Sequence, residues 1–145
     1  MGVDVVSEVV IDRAPRDVAD YAADPANAPE WYANIDRVEW LTRPPVRVGS
    51  RVAFSARFLG RRLEYTYEVV EFDPGERLVM RTAEGPFPME TVYTWEAAGA
   101  NATRMTLRNR GEPSGFARAA RPLMTVAMRS ANRKDLAALK ARLER

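Results

Sequence analysis

Any chemistry in this chain has to be built from a restricted set of side chains. Its 145 residues include no cysteine and no histidine, which removes thiolate nucleophiles, the usual zinc ligands and every Ser-His or Cys-His pair. Carboxylates, tyrosine, arginine, lysine and water remain. Two polar residues fall in phase with apolar strand positions, Asn109 with Met105 and Leu107, and Glu71 with Tyr67 and Val69. Each either brings a polar group to the rim of an apolar face or caps a turn in solvent. Arg81, beside Met80, should face outward by alternation unless a bulge reverses it. Carboxylates paired at the fixed separation that acid/base work needs are not evident. The sharper signal is aromatic: Tyr65, Tyr67 and Tyr93 point the same way, and a buried phenol needs a partner for its hydroxyl.

Those groups lie on segments that read as strands. Val3 to Asp12 is rich in β-branched residues and reads as a first strand. Pro15 then opens a short helix carrying Val18, Tyr21 and Ala22 at helical spacing, and Asp24-Pro25 stops it. Asp24 or Asn27 caps a second short helix reaching Trp31. From there the pattern has period two over 35–42, 51–59, 62–72, 77–83, 89–96 and 103–110, separated by turn-forming residues. Short links between consecutive strands imply antiparallel hairpins. A Gly60-Arg61 turn would set Phe58 opposite Leu63, Ala56 opposite Tyr65, Phe54 opposite Tyr67 and Val52 opposite Val69. A loop over 97–101 would set Tyr93 opposite Met105 and Thr91 opposite Leu107, with Trp95 on the same face.

After Pro113-Ser114-Gly115 the chain turns helical to its end, with Ser114 as a cap. Phe116, Ala120, Leu123, Ala127, Ala131, Leu136, Leu139 and Leu143 form its apolar stripe, and Pro122 implies a kink or break near its start. The fold class that follows is α+β, with a seven-stranded curved antiparallel sheet wrapped around a long C-terminal helix and two short helices between the first two strands.

Composition fits one domain over 1–145. At 46% hydrophobic and 29% charged residues, the chain matches a globular protein and neither a disordered nor a fibrous one. The net charge is only +2, with the cations scattered among acids, so the stripe that phosphate neutralisation demands is missing and no nucleic-acid partner is expected. The N-terminal residues lack the pattern of a signal peptide, and nowhere do about 18 apolar residues run together. A cytoplasmic protein without integral membrane association is the expectation. A homodimer is left open.

The order of these elements resembles the helix-grip fold of the START and Bet v 1-like superfamily. The resemblance rests on Val9-Val10-Ile11-Asp12-Arg13-Ala14-Pro15 with Val18, on Asp24-Pro25 leading to Trp31, and on Gly49 before a strand. It also rests on Val69-Val70-Glu71-Phe72-Asp73-Pro74-Gly75 with Leu78, and on Thr91-Val92-Tyr93-Thr94-Trp95 before Ala102-Thr103. Within it, the chain is most similar to the bacterial branch of polyketide cyclase/dehydrase and lipid-transport proteins, which spans aromatase/cyclases, quinone-binding proteins and small-ligand carriers. In the cyclases, the resemblance implies, a polar group assists aldol closure and dehydration of a poly-β-ketone.

A sheet curled around a helix encloses a cavity wherever facing side chains do not meet. The expected lining is Phe54, Phe58, Tyr65, Tyr67, Met80, Tyr93, Trp95, Met105, Leu107 and Asn109 from the sheet, with Met124 and Met128 from the helix. These same residues would otherwise fill the core. Trp31 anchors the core or, with Tyr32, gates the mouth. Three functions stay in play: a carrier or sensor of a small hydrophobic molecule (lipid, quinone or polyketide-like), a cyclase or dehydratase on a similar ligand, and an interaction domain with a filled core. Neither a metal nor an organic cofactor is called for.

Overall fold

The computed structural model describes residues 2–112 and 121–145. Its strands are β1 (Val3–Ile11), β2 (Ile35–Trp40), β3 (Arg51–Phe58), β4 (Arg61–Asp73), β5 (Arg77–Glu84), β6 (Met89–Ala97) and β7 (Thr103–Gly111), and its helices are α1 (Pro15–Ala22), α2 (Ala28–Trp31) and α3 (Arg121–Leu143). A 3-10 turn, Pro25–Asn27, joins α1 to α2, and the Asp24 side chain caps it by accepting from the Ala26 N–H. The seven strands form one antiparallel sheet in the order β1-β7-β6-β5-β4-β3-β2. Because β1 and β2 occupy opposite edges, the segment between them has to cross the sheet, and the two short helices are that crossing.

The two hairpin registers differ from expectation by two residues. Phe54 faces Tyr65, Ala56 faces Leu63 and Phe58 faces Arg61, so the turn residues are Leu59 and Gly60. Both have positive φ, 52° and 75°, as a type I′ hairpin requires for its twist to match the strands. Likewise Tyr93 faces Leu107, Trp95 faces Met105 and Thr91 faces Asn109, closed by the Ala98 N–H donating to the Ala102 carbonyl. A shift of two preserves every side chain's face. A bulge between Val69 and Glu71 does not: it turns Phe72 onto the core and leaves Glu71 outside, paired with Arg77 at 3.1 Å. Glu71 is therefore no cavity group.

The inner face and α3 share a core in two parts. The larger part includes Ile11, Val18, Trp31, Val69, Leu78, Trp95, Met105 and Leu107, closed by Leu136 and Leu139 of α3. The smaller part joins Val3 and Val5 to Met124, with Phe58 and Met128 packed against it. On α3, Leu123 is exposed instead of lying on the buried stripe. Pro122 is the second residue of α3 as described, and the helix start expected before it, with Ser114, Phe116 and Ala120, lies outside the described residues. The outer face carries cross-strand ion pairs, Arg108 with Asp4 and Arg51 with Glu68, and Glu90 held between Arg81 and Arg110. Burial alone would raise the Glu90 carboxyl, but hydrogen bonds from these two arginines hold it below its ordinary range.

Candidate functional site

Where the two parts of the core meet, the side chains leave a cavity of about 130 Å³ between the sheet and α3. Of the residues expected to line it, Phe54, Phe58, Tyr65, Tyr67, Met80, Tyr93, Asn109, Met124 and Met128 do so. Trp95, Met105 and Leu107 are instead buried in the larger core, because β6 and β7 run beyond the cavity toward the end that Leu136 and Leu139 seal. Trp31 is also a core residue, set beside its neighbour with ring centroids 4.2 Å apart. That neighbour, Tyr32, lines the cavity. A more open groove of about 500 Å³ passes Val9, Arg133 and Lys140 on the outer side of the β1–α3 contact.

The apolar wall is aromatic and sulfurous. Phe54, Tyr65 and Tyr67 form a cluster with centroid separations of 5.0 to 5.9 Å, within the range where ring pairs add to simple burial. The polar features are fewer and specific. The Tyr32 and Tyr93 hydroxyls share a hydrogen bond of 2.6 Å. The Tyr67 hydroxyl meets Thr91 Oγ1 at 2.8 Å, Thr91 donates to Asn109 Oδ1 at 2.6 Å, and Asn109 Nδ2 donates to Asn132 Oδ1 at 3.0 Å. Burial pushes the Tyr67 phenol up to about 12 and likewise raises Tyr32, Tyr65 and Tyr93 above the ordinary phenol range, so all four enter the site as neutral phenols.

Two residues on this wall, Asn132 and Asp135, were not anticipated. A reading by hydropathy counts only apolar positions on a helix, and both are polar, yet their residues are 3% and 2% exposed. Continuing the phase of Met124 and Met128 along α3 leads to Ala131, Asn132 and Asp135, all of which line the cavity. Asp135 accepts from the Ala33 N–H at 3.0 Å, which ties α3 to the second residue after α2. Burial pushes its carboxyl up to about 6, against the opposing effect of that N–H. Among the described residues no cluster of three or more His, Cys, Asp or Glu is placed to hold a metal. No helix among them is long and apolar enough to cross a membrane.

Comparison with known proteins bears on this geometry. The model of the family described as polyketide cyclase/dehydrase and lipid transport matches residues 2–144. Among solved structures, a protein from Thermus thermophilus is 22% identical with a TM-score of 0.84, covering 97% of this chain and 96% of its own. The Zhui aromatase/cyclase from Streptomyces sp. R1128 is 18% identical with a TM-score of 0.84, covering 100% and 95%. A START superfamily protein from Mycobacterium smegmatis is 16% identical with a TM-score of 0.81, covering 97% of each chain. At these identities the likeness concerns the fold. No curated protein matches the chain.

Proposed function

Because the chain belongs to the polyketide cyclase/dehydrase and lipid-transport family, we propose that its cavity binds a small hydrophobic molecule and that the protein is that molecule's carrier or sensor. The observation that carries this reading is an apolar, aromatic cavity whose wall holds an ordered set of hydrogen-bonding groups, the combination by which binding sites fix orientation. Its volume of about 130 Å³ lies below the usual range of roughly 300–1,000 Å³ for larger ligands. A cavity of roughly 150 Å³ accepts benzene, so the size favours a ring-sized, polyketide- or quinone-like molecule over a long acyl chain. Native mass spectrometry of freshly purified protein, followed by denaturation and identification of what is released, tests it. A stoichiometric hydrophobic adduct supports the reading; an unliganded mass with no thermal shift across ring ketones, quinones and fatty acids overturns it.

One observation favours a second reading, a cyclase or dehydratase on a similar ligand. Asp135 faces the cavity with a carboxyl pushed up to about 6, near the pH at which general acid/base exchange is most effective. In an aldol closure its carboxylate would take the proton from the carbon between two carbonyls, and the resulting enolate would attack a second carbonyl. The acid so formed would return that proton to the alkoxide the attack produces. The regenerated carboxylate would then take the second proton from the same carbon and deliver it to the hydroxyl as the C–O bond breaks, so that water leaves and the carbon–carbon double bond forms. Turnover of a β-diketone that vanishes in Asp135→Asn while binding persists supports this reading; turnover unchanged in that variant removes it.

A further inference from the structure

The chain of hydrogen bonds across the cavity wall has a direction, and the direction leaves one amide nitrogen at its end. Thr91 has a single hydroxyl proton, and it goes to Asn109 Oδ1 at 2.6 Å. The Tyr67 hydroxyl, 2.8 Å from Thr91 Oγ1, must therefore be the donor in that contact. Asn109, having accepted through Oδ1, donates through Nδ2 to Asn132 Oδ1 at 3.0 Å. The Asn132 amide is thereby oriented with its nitrogen as the free end. Asn132 is 3% exposed, lines the cavity, and its Nδ2 has no hydrogen-bond partner among the described residues. An unpaired buried donor forfeits its hydration without replacement, and native folds leave few of them unexplained. Each other side chain of this chain of bonds already has a partner within it, and the open side of the Asn132 nitrogen is the cavity that it lines.

Resting on the reading of the cavity as a ligand site, we infer that Asn132 Nδ2 is the donor that selects the ligand, and that the ligand is a compact ring ketone whose carbonyl oxygen it binds. A carbonyl supplies an acceptor without a proton that would itself need a partner. The aromatic wall of Phe54, Tyr65 and Tyr67 takes the ring. A carboxylate ligand is disfavoured by the buried Asp135 one turn further along α3. Hydrocarbon rings of the same shape fit the cavity but leave the nitrogen unpaired.

Acetophenone and its isostere α-methylstyrene, which replaces the carbonyl oxygen with a methylene, test this by calorimetric titration. The wild type should bind acetophenone about tenfold more tightly, a difference of about 1.4 kcal/mol. Asn132→Leu should lose that preference while keeping its affinity for α-methylstyrene, which also shows that the cavity survives. Asn132→Asp, measured at pH 8, keeps an acceptor for Asn109 without the donor and should lose it too. Equal affinities in the wild type, a preference surviving both substitutions, or stronger binding of phenol than of acetophenone would each overturn the assignment and leave the ligand site standing. If neither ring binds, the ring-ketone class fails, and native mass spectrometry then decides separately whether a different hydrophobic ligand occupies the site.

Discussion

A hydrogen bond between two buried phenols is worth little while both are present and is expensive when one is removed, because the survivor is left desolvated without a partner. Tyr32 and Tyr93 form such a pair at 2.6 Å. Tyr93→Phe alone should therefore lower stability by about 1–2 kcal/mol, whereas Tyr32→Phe with Tyr93→Phe should fall short of the sum of the singles. Urea denaturation of the four proteins of the cycle measures it; strict additivity would show that the two hydroxyls do not depend on each other. Asp135 makes a prediction of opposite character. Its folded pKa of about 6 exceeds the ordinary 3.8, so the native state holds more protons than the unfolded chain between these values. Its contribution is thus fully present below about pH 4 and is lost as pH rises through about 6. The facing titratable groups are the Tyr32 and Tyr93 phenols, neutral throughout that range. Asp135→Asn, which keeps an oxygen for the Ala33 N–H, should be more stable than the wild type at pH 8, by on the order of 2 kcal/mol, with the difference vanishing near pH 4. A difference independent of pH would show that the carboxyl is not raised. The inward tyrosines were legible from period two alone. Asn132 and Asp135 were not, because a polar residue on a helix reads as a solvent-facing one until its phase is tied to Met124 and Met128.

Elements were more legible than their pairing. Each strand and the short helices follow from periodicity and proline placement, since alternation and turn residues are local properties. Register is set by the turn, and the turn that forms is Leu59-Gly60 instead of Gly60-Arg61. A leucine at φ 52° is a choice that sequence rules would not make, because that region is costly for most side chains and suits asparagine or glycine. The residue is about half exposed, so replacing it sacrifices only part of a side chain's packing. Leu59→Asn should accordingly stabilise the protein by about 0.5–1 kcal/mol with the register unchanged, as a rise in denaturation midpoint at constant slope would show. A loss of stability would mean that the Leu59 side chain contributes more to packing than its exposure suggests. The bulge at Val69–Glu71 escaped for a different reason: an inserted residue has no local signature when both phases offer an apolar candidate, here Val69 in one and Val70 with Phe72 in the other.

The whole molecule divides its core so that stability and cavity fall to different parts of one helix. The C-terminal half of α3 is anchored by Leu136 and Leu139, 1% and 0% exposed, against the continuous core. Its first half spans the cavity, where Met124 and Met128 pack against Val3, Val5 and Phe58 in a separate cluster. Truncating a side chain costs its transfer free energy plus a term for the space it leaves, and that space is newly created only where the surroundings were full. Leu139→Ala therefore opens a void in a filled region and should cost about 3–5 kcal/mol. Met128→Ala enlarges a cavity already there, with a side chain that is partly exposed to begin with, and should cost less than about 2 kcal/mol. The same substitution gives a ring-sized site room for a second ring. The Met128→Ala protein should thus gain a larger thermal shift from a naphthyl ketone than from acetophenone, while the wild type orders them the other way. Binding to the native state alone raises stability by about 2.7 kcal/mol at a hundred times the dissociation constant, enough to offset the cost of the substitution. If Leu139→Ala and Met128→Ala are equally destabilising, the two clusters act as one continuous core and the division of labour along α3 does not hold.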